Sequence, residues 1–384
     1  MKTVKLCDIC DVRDGTHDSP SYYSDGYPFI TTKNLVNGTI DFSTASLICE
    51  EDFRHFDKRS HVDDGDILMP MIGTIGGAII VNKDREFAIK NVALIKKDKE
   101  SIDFNFLLHV LNSNKMLTYF EQFKTGGTQK FISLNFIRNL PIPEKSLPEQ
   151  QKIAAHLDSI QSAIDNKKQQ LAQLDELVKS KFVEMFGENP VENGKWKVGK
   201  IESVVDRNIL TAKKKFQKTD IIKYVDISAI DNKTNLVTGF TEYILEDAPS
   251  RAQQAINCDD ILISTVRPNL RNIAINPFND NSMVGSSGFC VLRVNETCNA
   301  KYLFYCVLGD DFTNAMVDLT TGAAYPAIKD SDVLAYSIAV PPIELQNTFA
   351  EYVQKIDSAK SIIKTQLNDL NELLESKMDF YFGE

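Results

Sequence analysis

Long apolar runs are absent from this sequence. No stretch approaches the roughly 18 to 20 apolar residues that a membrane-spanning helix needs, and the opening MKTVKLCDICDV lacks the apolar core of a secretory signal peptide. Cysteine is scarce as well. The 7 cysteines among 384 residues are odd in number and scattered, so they do not form a disulfide framework. These absences predict a cytoplasmic protein with reduced thiols.

Sequence signatures of catalysis are also missing. The nearest approach to the Asn-Pro-Pro-aromatic motif of adenine methyltransferases is Asn276-Pro277-Phe278, which is short by one proline. The glycines that begin at Gly73 lack the lysine and the hydroxyl residue of a phosphate-binding loop. No carboxylate–lysine cluster of the nuclease type stands out. We therefore predict no catalytic residue and no cofactor on this chain.

Metal-binding spacings are equally rare. Cys7 and Cys10 form a lone CxxC pair, and neither a second pair nor histidines stand at the spacing of a zinc site. The apolar residues Val4, Leu6 and Ile9 place both thiols on an early predicted strand. We predict no metal site.

An excess of positive charge is missing too. The formal net charge is −10, which argues against indiscriminate coating of nucleic acid. A local basic face on an acidic chain still contacts phosphates. The charge therefore allows DNA binding, and predicts that such binding is weak without partners.

A long helix is the clearest feature that is present. Ser146 and Glu149 form a capping-box pattern, and Pro148 stands where a first helical turn accepts proline. From Pro148 to Phe186 the helix would be roughly 58 Å long at the usual rise per residue. Apolar residues recur at alternating steps of four and three, the spacing of a coiled-coil seam: Ile153, Leu157, Ile160, Ile164, Leu171, Leu174 and Val178. Such a narrow seam needs a partner helix.

The partner helix lies in the same chain. A second seam follows 196 residues after the first: Phe349, Val353, Ile356, Ile363, Leu367, Leu370 and Leu374. Both segments close on similar residues, KFVEMFGE and KMDFYFGE, and lysines interrupt both seams. The chain is therefore predicted to be a tandem repeat. Because the two ends of a compact domain often lie close together, we expect the helices to pack antiparallel; a parallel coiled coil between two chains is the alternative.

The segments before each long helix predict strands with few helices. Alternating runs such as GDILMPMIGTIGGAIIVN indicate strands, and residues 104–123 have the spacing of one helix. The predicted fold class is mixed α/β: two homologous α+β globular domains separated by two long helices that form an intramolecular antiparallel coiled coil, pseudo-twofold and nearly circular in connectivity. The expected boundaries are 1–143 and 189–341 for the domains, and 144–188 and 342–384 for the helices.

The order of these segments resembles that of the specificity subunit of Type I restriction-modification enzymes. The helix starts LPEQQKIAAHLDSI and PPIELQNTFAEYVQKID carry the resemblance, together with DGTHDSP (14–20), PFITTKN (28–34), GDIL (65–68), GTIG (73–76) and GGTQKFIS (126–133). It covers essentially the whole chain. The second repeat departs from the pattern because it has no DGTH-like turn and starts its helix with Glu344-Leu345-Gln346.

The resemblance implies a function. In that family each globular unit is a target recognition domain that reads one half of a bipartite sequence in double-stranded DNA, across a spacer that is not read. The helices act as a ruler and dock two modification subunits, through which restriction subunits join. The subunit is itself not catalytic, so S-adenosylmethionine, ATP and Mg²⁺ are expected on partner subunits only.

Polar and basic loop residues are the natural candidates for DNA contacts, since bases are read by paired donors and acceptors and phosphates attract cations. In the first domain these are His17, Lys33, Asn34, Arg54, Arg59, Thr74, Gln129 and Lys130. In the second they are Lys213, Lys214, Lys215, Asp226, Ser228, Arg251, Arg267, Asn269, Arg271 and Tyr325. Each alone is as well explained by ordinary solvated surface, and His17 better as a turn residue held by Asp14 and Asp18.

Two other functions fit the same sequence. One is a coiled-coil scaffold that assembles protein partners without reading DNA. The other is a methyltransferase with degenerate motifs, which would bind S-adenosylmethionine. Neither the DNA target nor the length of its spacer can be derived from the sequence, because both depend on loop geometry and DNA shape.

Overall fold

The computed structural model describes residues 2–36, 38–73, 76–97, 101–123, 131–206, 208–321 and 326–383. The chain divides into two compact units. Unit 1 comprises Met1–Gln170 together with Ile363–Glu384, and unit 2 comprises Leu171–Ile362. Each unit therefore contains one globular domain and a segment of each long helix.

Short strands and helices build the domain of unit 1. Its strands are β1 (Thr3–Lys5), β2 (Asp11–Asp14), β3 (Tyr27–Ile30), β4 (Leu35–Val36), β5 (Thr39–Ile40), β6 (Ser46–Ile48), β7 (Ile67–Pro70), β8 (Ile79–Ile80), β9 (Ala88–Ile89), β10 (Val92–Lys96) and β11 (Pro141–Pro143). Its helices are α1 (Leu6–Ile9), α2 (Glu50–Ser60), α3 (Phe104–Leu111), α4 (Asn114–Phe123) and α5 (Leu134–Arg138), followed by the long α6 (Leu147–Phe186).

The second half repeats this order. Its strands are β12 (Lys197–Lys200), β13 (Ile221–Val225), β14 (Ile230–Asp231), β15 (Leu236–Val237), β16 (Thr241–Ile244), β17 (Ala252–Ala255), β18 (Ile261–Ser264), β19 (Ile273–Ile275), β20 (Met283–Ser286), β21 (Phe289–Leu292) and β22 (Ser337–Val340). Its helices are α7 (Ala212–Lys215), α8 (Ala300–Leu308), α9 (Asp310–Asp318), α10 (Asp330–Leu334) and the long α11 (Ile343–Phe382).

The two domains share a core of corresponding strands, β10-β7-β8 with β21-β18-β19 and β6-β3-β9 with β16-β13-β20, although their sheets differ in size. In unit 1 the sheets run β2-β10-β7-β8 and β6-β3-β9; in unit 2 they run β14-β15-β19-β18-β21 and β16-β13-β20-β17. A two-stranded ladder, β1-β11 in one and β12-β22 in the other, joins the start of each domain to the strand before its long helix. The predicted tandem repeat and the mixed α/β fold are confirmed.

A buried ion pair recurs in the two domains. The motif GDIL brings Asp66, which is 1% exposed, within 2.5 Å of the Lys96 ammonium at the end of β10. In unit 2 the equally buried Asp260 accepts two hydrogen bonds from the Arg293 guanidinium, at 2.9 and 2.7 Å. A buried carboxylate is costly without such a partner. This explains why a buried aspartate directly precedes an apolar strand in each domain.

Two local predictions were wrong. Residues 104–123 form two helices, not one. The Asn112 side chain bonds the backbone N–H and the carbonyl of Ala78 at the break, and the Ser113 hydroxyl accepts from the Met116 N–H at the start of α4. Cys7 lies in the single-turn helix α1 and Cys10 directly follows it, not on a strand. The Cys10 N–H donates to the Leu6 carbonyl, which closes this single helical turn.

A buried glutamine fixes the start of each long helix. The Gln150 side chain, 4% exposed, accepts a hydrogen bond from the Asp103 N–H and donates to the carbonyls of Ser101 and Lys145. Gln346, on the first turn of α11, repeats this pattern. Its side chain accepts a hydrogen bond at 2.9 Å from the N–H of Asn299, which directly precedes α8. Both therefore tie the first turn of a long helix to the loop before α3 or α8, which accounts for the glutamine shared by the two helix starts.

Within each unit the two long helices run in opposite directions. In unit 1 the start of α6 packs beside the end of α11, and the His156 Nδ1 lies 2.9 Å from the Tyr381 hydroxyl. In unit 2 the end of α6 packs beside the start of α11, where the Phe186 and Phe349 rings meet edge to face at 5.5 Å. The seam lysine Lys360 is paired with Asp175 at 2.5 Å.

The predicted seam positions face inward to different degrees. Five in α6 and two in α11 are buried: Ile153, Leu157, Ile160, Ile164, Val178, Phe349 and Val353. The rest are partly buried: Leu171, Leu174, Ile356, Ile363, Leu367, Leu370 and Leu374. The domain cores include Ile153, Leu157, Val178, Phe349 and Val353, whereas Ile160 and Ile164 are buried outside those cores.

The last turn of each helix inserts a phenylalanine into a domain core. Phe186 is 1% exposed and packs on Tyr302 at a centroid distance of 4.7 Å in unit 2. Phe382 is 3% exposed and packs on Phe106 at 5.7 Å in unit 1. The similar endings KFVEMFGE and KMDFYFGE thus serve the same packing role.

We expect Phe382→Ala to lower the free energy of unfolding by about 3 to 5 kcal/mol, the usual cost of emptying a core aromatic site. Urea-induced unfolding followed by far-ultraviolet circular dichroism measures it. Phe380→Ala is the matched control, because Phe380 lies on the same turn and is 74% exposed; it should change the stability by less than about 0.5 kcal/mol. Equal effects of the two substitutions would contradict the packing described.

We expect Gln150→Ala and Gln346→Ala each to destabilise the chain by about 1 to 3 kcal/mol, since each leaves buried backbone groups without their partner. Thermal unfolding of the purified chain measures the loss. Gln151→Ala is the control, because Gln151 is the exposed neighbour on the same helix. If Gln150→Ala and Gln151→Ala unfolded at the same temperature, the glutamine would not be an anchor.

Candidate nucleic-acid interface

A hydrogen-bonded network surrounds the DGTH turn of unit 1. Asp14, 5% exposed at the end of β2, accepts from the Arg59 guanidinium and from His17 Nε2 at 3.1 Å. The other ring nitrogen of His17 lies 2.6 Å from the Asn91 side-chain oxygen. The buried Asp14 carboxylate is thus hydrogen-bonded by the His17 and Arg59 side chains, each of which is more than half exposed.

The backbone of this turn packs closely on the turn between β9 and β10. A Cβ added at Gly15 would come within 2.3 Å of the Ile89 carbonyl oxygen, so only glycine fits there. The Thr16 N–H donates to that same carbonyl, and the Asn91 N–H donates to Thr16. The turn is therefore held in place on both sides. His17 is held by Asp14 and Asn91, while Asp18 bonds Thr16 instead.

The remaining described candidates of unit 1 differ in what they can reach. Lys33 is exposed on a 3₁₀ turn, Thr32–Asn34. Asn34 is 4% exposed, and its amide bonds Thr31, Asp41 and Thr44, so its side chain lies in the interior of that loop. Arg54 is exposed on α2 and pairs with Glu50 at 2.5 Å.

Three consecutive lysines form α7 in unit 2. Lys213 and Lys214 are exposed, whereas Lys215 is half-buried with its ammonium 5.1 Å from the Phe216 ring centroid. Burial, and then the nearby Arg293 charge, lower the pKa of Lys215. The first two lysines therefore present solvent-accessible charge, and the third is partly drawn into the fold.

The turn RPNLR has an unusual backbone. Arg267 and Arg271 both adopt the left-handed conformation, with φ of 52° and 53°, at the two ends of a 3₁₀ turn, Pro268–Leu270. This conformation costs roughly 1 to 2 kcal/mol for a residue with a side chain. Asn269 and Leu270 are exposed at its tip, and Asn232 steadies it by donating to the Leu270 carbonyl. Backbone strain of this kind is typical of binding loops.

The other candidates of unit 2 differ in their exposure and in their contacts. Ser228 and Arg251 are exposed. Asp226 is half-buried and caps the 3₁₀ turn Ile227–Ala229 by accepting from the Ile227 N–H at 2.8 Å, so its role in the fold is established by its contacts. Arg271 pairs with Asp310 at 2.5 Å.

Four candidates lie outside the described residues: Thr74, Gln129, Lys130 and Tyr325.

The sequence analysis omitted two residues of the DGTH network. Asn91 holds His17 and has a φ of 54°, and Lys90 donates to the Ser19 hydroxyl at 2.6 Å. Asparagine is one of the few residues that tolerate a positive φ, so the asparagine between two apolar runs, in AIKNVALI, was the available signal. Its partner across the sequence was not readable.

Comparison with known proteins shows the family to which the two domains belong. The family model described as Type I restriction modification DNA specificity domain matches residues 1–176 and again residues 193–372. The chain belongs to this family. The two matches coincide with the two repeats, so each repeat carries one such domain.

The relatives match over different shares of their length. The chain is 23% identical to the putative type I restriction enzyme MjaX specificity subunit of Methanocaldococcus jannaschii, over 98% of this chain and 91% of that protein. It is 30% identical to the EcoBI specificity subunit of Escherichia coli over 42% of this chain and 35% of that one. The solved S subunit from M. genitalium matches in fold with a TM-score of 0.57 at 15% identity, over 98% and 94% of the two chains.

Across the described part of the chain, no helix combines the length and the apolar character that crossing a membrane requires. Even the two 40-residue helices, α6 and α11, carry charged residues throughout.

We expect the double substitution Lys213→Ala with Lys214→Ala to weaken binding of the full chain to a DNA duplex and to flatten its salt dependence. Each lost phosphate contact lowers the slope of log affinity against log salt by about 1. Fluorescence anisotropy across a salt series measures the slope. Lys195→Ala, which removes one charge outside the candidate set, should leave the slope unchanged. An unchanged slope in the double variant would remove α7 from the interface.

Proposed function

We propose that this chain is the DNA-specificity subunit of a Type I restriction-modification system, in which each globular domain reads one half of a bipartite target. The observation that carries this proposal is the double match to one DNA-specificity family, once per repeat. Relatives named as type I restriction enzyme specificity subunits extend over nearly the whole chain, which supports the same assignment.

Differences between the two domains support an asymmetric target. After β6 the first domain has the eleven-residue helix α2, whereas after β16 the second has only the 3₁₀ turn Leu245–Asp247. The left-handed turn from Arg267 to Arg271 falls in the segment that corresponds to GTIG in the first repeat. Shared sheets with different loops are what two readers of different sequences require, because base contacts come from the loops.

The long helices suit a ruler between the two readers. Two linked modules gain from each other only when both half-sites are reached at once. A continuous helix of 40 residues supplies a stiff connection, and the buried glutamine and phenylalanine at its ends hold it to the domains. The separation of the half-sites is then fixed by the length of the helices.

The same helices offer two equivalent surfaces for partner subunits. Leu177 in unit 2 and Leu373 in unit 1 occupy corresponding positions of the repeat, and they are 49% and 41% exposed. Two equivalent apolar positions fit two copies of one partner, which the resemblance identifies as the modification subunit. Restriction subunits join through that complex. Catalysis, with S-adenosylmethionine, ATP and Mg²⁺, belongs to those partners in this proposal, and the chain itself is not catalytic.

The experiment is co-expression of the chain with its modification subunit, followed by mapping of methylated sites across the host genome. We expect methylation of one bipartite sequence. Asn269→Ala should relax only one half-site, because each direct base contact is worth about 1 to 3 kcal/mol of discrimination. His17→Ala should relax only the other, because the DGTH turn loses the side chain that bonds Asp14 and Asn91. Neither should alter the spacer length.

The control for this experiment is Lys195→Ala, whose target should equal that of the unchanged chain. Methylation without a sequence preference would overturn the proposal. If both loop variants kept full selectivity while the chain still assembled with its partners, the scaffold function would be favoured. Binding of S-adenosylmethionine by the isolated chain would instead favour a methyltransferase.

A further inference from the structure

Three potential metal ligands converge beside α2 in unit 1. Asp57 lies on the last turn of this helix, His61 directly follows it, and Glu86 comes from the turn before β9. One ligand atom from each lies within 4.8 Å of the others. Asp57 and His61 stand four residues apart, the helical spacing that puts two side chains on one face. The group thus joins two segments that are separate in the sequence.

The imidazole of His61 is oriented from both sides. Its Nδ1 lies 2.8 Å from the Asp57 carboxylate, and its Nε2 lies 3.3 Å from the Asp63 carboxylate. Metal-bound histidines commonly donate their second ring N–H to a carboxylate, which fixes the tautomer and strengthens the ligand. With a cation on Nδ1, the proton would stay on Nε2 and face Asp63. This geometry is independent of the proximity of Glu86.

We propose that Asp57, His61 and Glu86 form a binding site for a divalent transition-metal ion, of which Zn²⁺ is the best representative. One nitrogen and two carboxylate oxygens favour zinc over magnesium, which prefers oxygen ligands and retains its water. Three protein ligands leave a fourth position for water. The inference concerns a site apart from the proposed DNA reading and does not depend on it.

A lysine contacts one of the three proposed ligands. The Lys83 ammonium, on a side chain that is only 13% exposed, lies 2.8 Å from Glu86. Metal binding must displace this contact, because the cation and the ammonium compete for the same carboxylate. Removing the ammonium should therefore strengthen metal binding, because the cation then has no competitor for the Glu86 carboxylate.

The bound ion would fix the end of α2 to the turn that contains Glu86. Arg59, two residues before His61, pairs with the buried Asp14 that also holds His17. The metal would thus support one wall of the DGTH network. Unit 2 has a 3₁₀ turn in place of α2, so the site is a feature of the first domain.

The test is direct titration of the metal-free full chain with Zn²⁺ by calorimetry, together with its thermal unfolding. All variants carry Cys7→Ser, since Cys7 is an exposed thiol that could bind zinc. We expect saturable binding that raises the unfolding temperature. His61→Ala and Glu86→Gln should each weaken binding more than about tenfold, because losing even an outer partner of a metal site costs that much.

His55→Ala is the matched control, because His55 is an exposed histidine on the same helix and should be dispensable. Lys83→Met should bind Zn²⁺ more tightly, and Mg²⁺ should give no comparable stabilisation. Unchanged zinc affinity in His61→Ala and Glu86→Gln would overturn the proposal. So would an equal loss in His55→Ala, or no gain in Lys83→Met. Because Glu86 is exposed, its glutamine variant remains interpretable even if His61→Ala folds poorly.

Discussion

Each long helix is anchored in the core of one unit at its start and in the core of the other unit at its end. The rest of the structure depends on these anchors. Gln150 and Phe382 belong to unit 1, while Gln346 and Phe186 belong to unit 2. The anchors are of two physical kinds. The glutamine satisfies backbone groups that would otherwise be buried without partners, and the phenylalanine fills core volume. Because both kinds occur in both units, neither domain is complete without residues from both helices.

The sequence was most informative where one physical requirement determines the residue type. A seam of apolar residues can only pack as a helix pair, so the long helices, the repeat and the mixed fold were predictable. Asp66 and Gln150 were visible as parts of motifs, but their roles were not, because their partners Lys96 and Asp103 lie about thirty to fifty residues away. The break at Asn112 was likewise determined by a contact with Ala78, across the fold.

Residue type says least about the roles of loop residues, and the reason is geometric. Residue type alone does not distinguish Asn34, whose amide is used inside its own loop, from an asparagine that faces DNA. Nor does it distinguish Asp226, which caps a turn, or Lys215, which lies against Phe216. The left-handed backbone at Arg267 and Arg271 carries no sequence signal, since arginine rarely adopts it. The exposed members of each cluster are left as the candidates.

The division of the chain also determines the order in which its parts can be finished during synthesis. Unit 2 is drawn from one continuous stretch, Leu171–Ile362, so all of its residues are available before α11 is complete. Unit 1 needs Ile363–Glu384 as well, so the Phe382 ring reaches the Phe106 ring only after all of unit 2 has been synthesised. The first domain of a nascent chain therefore keeps an open apolar slot while unit 2 is synthesised, and this slot closes only after Phe382 has been made.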